Sequence, residues 1–285
     1  MAQIISGKEI REKRLAVMKE EVAALNESGI YPCLAVILVG NDPASRVYVN
    51  NKKAACERTG IVSREYALPE TTSTEELLAL IDELNEDKTV SGILCQMPVP
   101  DGIDSRAVLE RISPDKDVDC FHPFNVGKLV QGEGKMLPCT PAGMVEMLDY
   151  MGVEIAGKTC VVIGRSDIVG KPMAILMTQK NATVTLCHSY TPNLKEICSR
   201  ADILVSSVGK PGFVTGDMVK EGAIVLDVGI NKNGLGKLCG DCVYEECEKK
   251  ASMITPVPGG VGPMTITMLI RNTITAAKIN KTAKE

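Results

Sequence analysis

The sequence predicts an α/β fold in two domains, and three features of the chain carry that expectation. Apolar runs rich in β-branched residues alternate with segments of helical period from end to end. A polar stretch containing Pro and Gly, "SPDKDVDCFHPFNVGKLVQGEGKMLPCTPAG" (113–143), breaks the alternation as a domain junction does. Beyond it the order βαβαβ, followed by another strand, is that of a doubly wound nucleotide-binding domain.

In the first series "CLAVILVG" (33–40), "IVSREYAL" (61–68) and "SGILCQMP" (91–98) read as strands. Residues 6–27, 44–59 and 73–86 read as helices between them, the last opened by Ser73 or Thr74 with Glu76 in its first turn. A mostly parallel sheet is expected. A short helix from Pro141 to Tyr150 leads into the second series. There the strand "KTCVVIG" (158–164), a helix from about Gly170, the strand "ATVTLCH" (182–188) and a helix from about Asn193 precede the strands "ADILVSSVG" (201–209) and "GAIVLDVG" (222–229). The closing "VGPMTITMLIRNTITAAKIN" (261–280) is apolar at helical spacing and is expected to pack back on the first domain.

Composition narrows the function classes. Hydrophobic residues at 45% and charged residues at 24% are ordinary for a globular chain and leave no room for a large disordered tail. Aromatic residues at 3%, the absence of Trp and a net charge of −4 disfavour a nucleic-acid binder, which needs stacking platforms and a cationic surface. No apolar run approaches the roughly 18 to 20 residues of a membrane span, and "MAQIISGKEIREKR" lacks the pattern of an export signal, so a cytoplasmic protein is expected. Eleven cysteines without regular spacing point to a reducing compartment. Cys239 and Cys242 of "CGDC", with Cys247 nearby, form the one cluster that raises metal or redox chemistry. A zinc site would need a fourth ligand, and His122 and His188 lie far away in sequence, so no metal is expected.

"VVIGRSDIVGKPMA" (161–174) sets Gly164 and Gly170 between a strand and a helix. Glycine at such a turn lets backbone approach a pyrophosphate, and the helix N-terminus offers free N–H groups and a partial positive charge. The full G-x-G-x-x-G pattern is not present, because Ser166 stands where the middle glycine belongs. The next strand ends in His188, Ser189 and Tyr190, without the acid that an NAD site uses to bind the ribose 2′-hydroxyl. Arg165 is placed for a charge-assisted contact to a 2′-phosphate. The expected cofactor is therefore NADP, ahead of NAD, in a Rossmann-like NAD(P)-binding domain.

"YVNNKKAAC" (48–56) puts Tyr48 and Lys52 one helical turn apart and points Lys53 elsewhere. Short-chain dehydrogenases also use Y-x-x-x-K, but in them the glycine turn comes first, and here the order is reversed. Seven stretches together resemble a different family, the bifunctional methylenetetrahydrofolate dehydrogenase/methenyltetrahydrofolate cyclohydrolases. They are "VGNDPASRVYVNNKKAACERTGI", "GILCQMPVP", "PDKDVDCFHP", "PCTPAG", "VVIGRSDIVGKPMA", "VLDVGIN" and "TPVPGGVGPMT", in the family's order and over nearly the whole chain.

The resemblance implies an N-terminal α/β catalytic domain at 1–120 that binds folate, with the terminal helix of about 262–280 packed on it. It implies a Rossmann-like NADP-binding domain at 121–261, a cleft between the two domains, and a homodimer. Two reactions are expected at one folate site: oxidation of 5,10-methylenetetrahydrofolate to the methenyl cation, then hydrolysis to 10-formyltetrahydrofolate. The resemblance puts catalytic roles on Tyr48, Lys52, Gln96 and Asp119. A cationic substrate is not helped by a second full positive charge, so Lys52 is expected to be partly buried, hydrogen-bonded to Gln96 and lowered in pKa, and to transfer a proton as water adds. Asp119 is expected to accept from the pterin N–H edge, and Tyr48 to offer its ring to the folate and its hydroxyl to the lysine network. Pro258, Gly259 and Gly260 form a rigid close-approach loop expected to touch the folate. Gly164, Arg165, Ser166 and Ser189, with Thr140 of "PCTPAG" and Ile230 of "VLDVGIN", are the implied cofactor contacts.

Each of these residues has a plainer reading. Lys52 resembles a solvated helix lysine, Gln96 a strand end, Asp119 a turn or cap residue, and Tyr48 a core aromatic. Three positions depart from the family pattern: Cys120 where glycine is common, Tyr190 where a basic residue often follows His-Ser, and "GDCVY" (240–244) where "GDVDF" is usual. A monofunctional NAD-linked dehydrogenase and a non-catalytic folate or dinucleotide binder are the rival functions. The combination of Lys52 with Gln96 and Asp119 argues against both.

Overall fold

The structure, a computed structural model, describes residues 1–282. The first half of the chain holds β1 (Gln3–Ile4), α1 (Gly7–Glu27), β2 (Cys33–Val39), α2 (Pro43–Thr59), β3 (Val62–Leu68), α3 (Thr74–Glu86), β4 (Gly92–Cys95), α4 (Ser105–Arg111), α5 (Pro123–Gln131) and α6 (Cys139–Tyr150). The second half holds β5 (Thr159–Ile163), α7 (Gly170–Gln179), β6 (Thr183–Cys187), α8 (Leu194–Cys198), β7 (Ile203–Ser206), β8 (Ile224–Asp227), β9 (Asn231–Lys232), β10 (Leu238–Cys239), α9 (Tyr244–Lys250), β11 (Met253–Ile254) and α10 (Val261–Thr282). The chain divides into two compact units.

Lys13–Cys139 and the described residues from Ile266 to Thr282 form a unit around a three-stranded parallel sheet of order β3-β2-β4. The central strand β2 is buried along its whole length, which is why it reads as an unbroken apolar run. Its alternate residues enter two different cores. Leu34, Val36 and Leu38 pack with Leu15, Met18 and Val22 of α1, Val49 and Cys56 of α2, and Leu269, Ile270 and Ile274 of α10. Cys33, Ala35, Ile37 and Val39 pack with Leu77, Ile81 and Leu84 of α3 and with Val108 and Ile112. A capping box of Ser73 and Glu76 starts α3, as its sequence predicts.

Met1–Glu12 and Thr140–Thr265 form the other unit, whose six-stranded sheet has the order β1-β11-β8-β7-β5-β6 with every pairing parallel. The chain runs from β5 outward to β6 and then back past β5 to β7 and β8. That reversal is the topological switch point of a doubly wound sheet, beside which ligands bind at the carboxyl ends of the strands. Val161 and Ile163 of β5 enter one core with Leu204 and Val225, while Cys160 and Val162 enter another with Met144, Met147, Met173 and Met177.

The division differs from the expected boundary after residue 120. It falls between Cys139 and Thr140, because Met136 and Cys139 belong to the core of the three-stranded unit. Residues 1–12 fall with the six-stranded unit because β1 pairs with β11. The stretch read as an aperiodic junction contains α5, which starts at Pro123 behind the N-cap His122 and stops at Gly132 in the left-handed conformation. The strand expected at 91–98 is limited to Gly92–Cys95, so Gln96 stands just past its end.

Candidate active site

The lysine of "YVNNKKAAC" sits on α2, whose start is fixed by Asp42 accepting from Ser45 N at 2.7 Å and by Pro43 in the first turn. Gly60, at φ 81°, ends the helix with its N–H on Cys56 and Glu57 carbonyls. Half-buried Lys52 donates from Nζ to Gln96 Oε1 at 2.8 Å, while exposed Lys53 faces away. Gln96 is held in turn: its backbone N–H donates to Ile37 O at 2.9 Å, and its Nε2 donates to Met97 O at 2.7 Å. The second bond settles which end of the amide faces the amine.

Asp119 is presented by a segment lying alongside β4. Ile93 N donates to Lys116 O at 2.7 Å and Ile93 bridges Asp117 in parallel register. Gly92 permits this approach, since a Cβ there would come within 2.4 Å of Val118 Cγ1. Lys116 is buried with Nζ on the carbonyls of Leu84, Asn85 and Asp87 at 2.8, 2.7 and 2.8 Å, closing the C-terminal end of α3. Asp117 Oδ2 accepts from His122 N at 2.8 Å and Asn125 Nδ2 at 2.9 Å, which fixes the turn into α5. Asn272 of α10, also buried, donates Nδ2 to both Val118 O and Leu137 O at 2.8 Å. It anchors the peptide immediately before Asp119, and sequence reading missed it.

Burial lowers the pKa of Lys52, and the Asp119 carboxylate opposes that shift by favouring the ammonium. Burial likewise raises Asp119, with Lys52 pulling the other way, while the nearby Cys139 thiol donates to Val118 O at 3.3 Å. Desolvation pushes Cys95 up to about 12 and Cys139 well above the ordinary thiol range, so both stay protonated at neutral pH. The result is an amine and a carboxylate in one desolvated pocket, each drawn toward its neutral form. The lysine is therefore not the solvated surface charge of the plainer reading.

Tyr48 stands one turn before Lys52 and is 38% exposed, so it is not a core aromatic. Its hydroxyl makes no hydrogen bond among the described residues, and Lys52 Nζ bonds to Gln96 rather than to it. Of the two expected links to the lysine, the structure holds the one from Gln96 and not the one from the phenol.

The remaining predicted residues belong to the six-stranded unit. Gly164 follows β5 at φ 113°, and a Cβ on it would lie 2.4 Å from Ser207 O beyond β7. A Cβ on Gly170 would lie 2.0 Å from Gly164 O. Both positions thus admit only glycine, and the turn is a close-approach cradle that fits a dinucleotide's phosphates. Ser166 modifies the expectation that the helix amides are free: its Oγ accepts from Val169 N at 3.2 Å and Gly170 N at 3.3 Å, and its carbonyl takes Lys171 N at 3.1 Å. The exposed groups of this turn are those of Arg165 through Ile168. Ser189 is exposed past β6 and Ile230 past β8, while Thr140 Oγ1 meets Thr265 Oγ1 at 3.0 Å. Pro258 is exposed, whereas Gly259 and Gly260 have packing duties within the unit. Gly259 O accepts from Lys8 N at 3.1 Å, and a Cβ on Gly260 would lie 2.5 Å from Pro256 O.

Comparison with known proteins decides the family. The model of the tetrahydrofolate dehydrogenase/cyclohydrolase catalytic domain matches residues 5–119, and that of the NAD(P)-binding domain matches residues 138–281. The chain belongs to the tetrahydrofolate dehydrogenase/cyclohydrolase family. It is 57% identical over 283 residues to the bifunctional protein FolD of Acetivibrio thermocellus, covering 99% of each chain. The crystal structure of a bifunctional FolD methylenetetrahydrofolate dehydrogenase/cyclohydrolase from Campylobacter jejuni superposes with a TM-score of 0.96 at 48% identity, over 98% of this chain and 99% of that one. The Trypanosoma brucei dehydrogenase-cyclohydrolase, crystallised with NADP and an inhibitor, superposes at 0.93 with 39% identity, over 100% of this chain and 99% of that one.

Membership in the dehydrogenase/cyclohydrolase family gives the sequence departures a physical setting. Cys120, read in the sequence as standing where glycine is expected, has φ 60°, a left-handed backbone that glycine adopts without strain. Its buried side chain places Sγ 3.7 Å from Asp117 O and 3.8 Å from Asn272 Nδ2. In "GDCVY", Asp241 is fully buried and accepts from Ser206 Oγ at 3.0 Å, Val208 N at 2.8 Å, Lys210 N at 3.0 Å and Asn231 Nδ2 at 2.9 Å. Asp227 accepts from the N–H groups of Gly229, Asp241 and Cys242, each at 2.9 Å. A Cβ on Gly240 would lie 2.0 Å from Asp227 Oδ2, so the motif's glycine and acid serve one buried network. Cys242 and Cys247 are buried and Cys239 is partly exposed, and all three are free thiols.

Proposed function

We propose that this chain oxidises 5,10-methylenetetrahydrofolate with NADP and then hydrolyses the methenyl product to 10-formyltetrahydrofolate, with Lys52 as the proton-transfer residue of the second step. The observation that carries this reading is the 2.8 Å bond from Lys52 Nζ to Gln96 Oε1, made in a desolvated pocket shared with Asp119. A monofunctional dehydrogenase has no use for an amine poised in this way.

The folate chemistry falls to the unit of Lys13–Cys139 with the terminal helix from Ile266, and dinucleotide binding to the unit that contains Thr140–Thr265. Bound NADP supplies the hydride acceptor for the methylene carbon. Asp119 accepts from the N–H edge of the pterin and fixes the bridge carbon, while the exposed ring of Tyr48 covers the flat substrate. Pro258, Gly259 and Gly260 contact the folate, and Gly164, Arg165, Ser166, Ser189, Thr140 and Ile230 contact the dinucleotide. In the hydrolytic step a water oxygen bonds to the methenyl carbon as one of its protons passes to the neutral Nζ of Lys52. Gln96 holds that amine with its lone pair free. The carbon's bond to N5 then breaks as the carbinol proton moves to N5, leaving the formyl group on N10 and releasing one proton overall.

A homodimer in the cytoplasm completes the proposal. It is supported by the free edge strands β3 and β6 and by eleven unpaired cysteines. No helix of the described residues is long and apolar enough to cross a membrane.

The test mixes purified protein with 5,10-methylenetetrahydrofolate and either NADP or NAD, following reduced dinucleotide and 10-formyl product together. Both products with NADP are expected. Reduced NAD without formyl product would replace this reading with the monofunctional one. In Lys52→Met, hydrolysis of supplied methenyltetrahydrofolate is expected to fall about 100- to 10,000-fold in a folded protein. An undiminished rate would remove Lys52 from the mechanism.

A further inference from the structure

Tyr190 is 81% exposed, yet it stands on a tightly fixed turn. Thr191 N donates to His188 O at 2.9 Å, His188 N to Thr191 Oγ1 at 2.8 Å, and Tyr190 N to His188 Nδ1 at 3.2 Å. The ring has no core to fill. Its neighbours are the imidazole of His188, edge-on at 6.2 Å between centroids, and the guanidinium of Arg165, 5.8 Å from the ring centroid. Arg165 has no carboxylate partner among the described residues, in a chain whose other exposed arginines commonly pair with Asp or Glu. The guanidinium thus sits over an aromatic ring while no carboxylate engages its N–H groups, which are left for another acceptor.

The strands explain how two residues so far apart in sequence meet. β5 and β6 are adjacent and parallel, with Ile163 opposite Cys187, so Arg165 and Tyr190 both emerge from the carboxyl ends of neighbouring strands. This is the edge of the cradle where a dinucleotide's adenosine ribose would lie. No acid stands at the end of β6 to repel a phosphate there.

We infer that Tyr190 is a specificity-determining residue: its ring holds the Arg165 guanidinium in place to receive the 2′-phosphate of NADP. The inference rests on the NADP reading above and extends it to a residue whose type, by itself, argues against a phosphate site. The tyrosine carries no charge of its own. It acts by restricting a long side chain that would otherwise sample many rotamers, so less order is lost when the phosphate binds. An aromatic ring suffices for this, and the phenol hydroxyl is not required.

The test is equilibrium binding of 2′,5′-ADP and 5′-AMP, two fragments differing only in the 2′-phosphate, to the full-length protein and its variants by calorimetry. The wild type is expected to prefer 2′,5′-ADP. Tyr190→Leu should reduce that preference about two- to fivefold by weakening 2′,5′-ADP, with 5′-AMP affinity unchanged, and Tyr190→Phe should keep it. In an Arg165→Gln background Tyr190→Leu should have no further effect on the preference, because the two residues act as one unit. A wild type that prefers 2′,5′-ADP and a Tyr190→Leu variant that prefers it equally would overturn the role of Tyr190 while leaving the NADP reading intact. Equal loss of both fragments in Tyr190→Leu would also overturn it, making the ring an adenine platform. A wild type without preference would overturn the NADP reading and this inference together.

Discussion

Asp119 and Asp241 are both desolvated carboxylates, one in each unit, and they are used in opposite ways. Asp241 is saturated by four donors that tie together the ends of β7, β9 and the loop before α9, and nothing further can bind to it. Asp119 has the Lys52 amine as its electrostatic partner and no comparable set of donors, so its lone pairs remain largely available. Burial costs both groups hydration, but only one has been repaid by the protein. The unpaid one stands where a ligand with N–H groups would complete it. Number and strength of donors, together with the half-buried setting of Asp119 against the full burial of Asp241, distinguish the structural acid from the candidate catalytic one.

Removing each acid's support separates the two cases. Asp241→Ala should have the largest effect on stability, on the order of 3 kcal/mol, because four donors, that of Ser206 fully buried, lose their acceptor at once. Denaturant unfolding would read it, and a change below about 0.5 kcal/mol would break the distinction. Asn272→Leu should cost less, about 2 kcal/mol, since the side chain is nearly isosteric and two carbonyls are left without their donor. Its signature is on the substrate: the folate KM should rise about tenfold while the NADP KM stays unchanged, because the peptide before Asp119 is no longer anchored. A variant that lost stability with no change in folate KM would show Asn272 to be a core residue only.

The parts of this molecule that were legible in sequence are those whose signal is local. Strand β2 is apolar throughout, and β5 from Cys160 onward, because an interior parallel strand is covered on both faces, and α3 carries its own capping box. Gly164 was legible because a positive φ at a strand end demands it. Lys52 and Gln96 were read together through ordered motifs, and they meet across 44 residues of chain. Asn272 was not legible: a lone amide in an apolar helix resembles a polar face, and its carbonyl partner Val118 is 154 residues away. Asp241 was hidden for the same reason, since its donors come from four separate positions and no local pattern marks them. Helix α5 escaped because nine residues containing Gly127 offer little periodicity, and its boundaries depend on His122 and Gly132. The Tyr48 hydroxyl was placed in the lysine network by the family resemblance, and of the two expected partners only Gln96 bonds to the amine.

The central claim is that hydrolysis depends on the neutral form of a lysine whose pKa is set by burial and by Asp119. The sign follows from the two causes: burial lowers the Lys52 pKa below its ordinary 10.5, and the Asp119 carboxylate holds it up. Because the unprotonated amine takes the proton from water, the rate should rise with pH through that lowered pKa. The most direct measurement is the pH profile of methenyltetrahydrofolate hydrolysis at saturating substrate, corrected for the uncatalysed reaction, in the wild type and in Asp119→Asn. The account predicts a rising limb below the ordinary lysine range in the wild type and its displacement to lower pH in Asp119→Asn. A limb at the same pH in both proteins would contradict it.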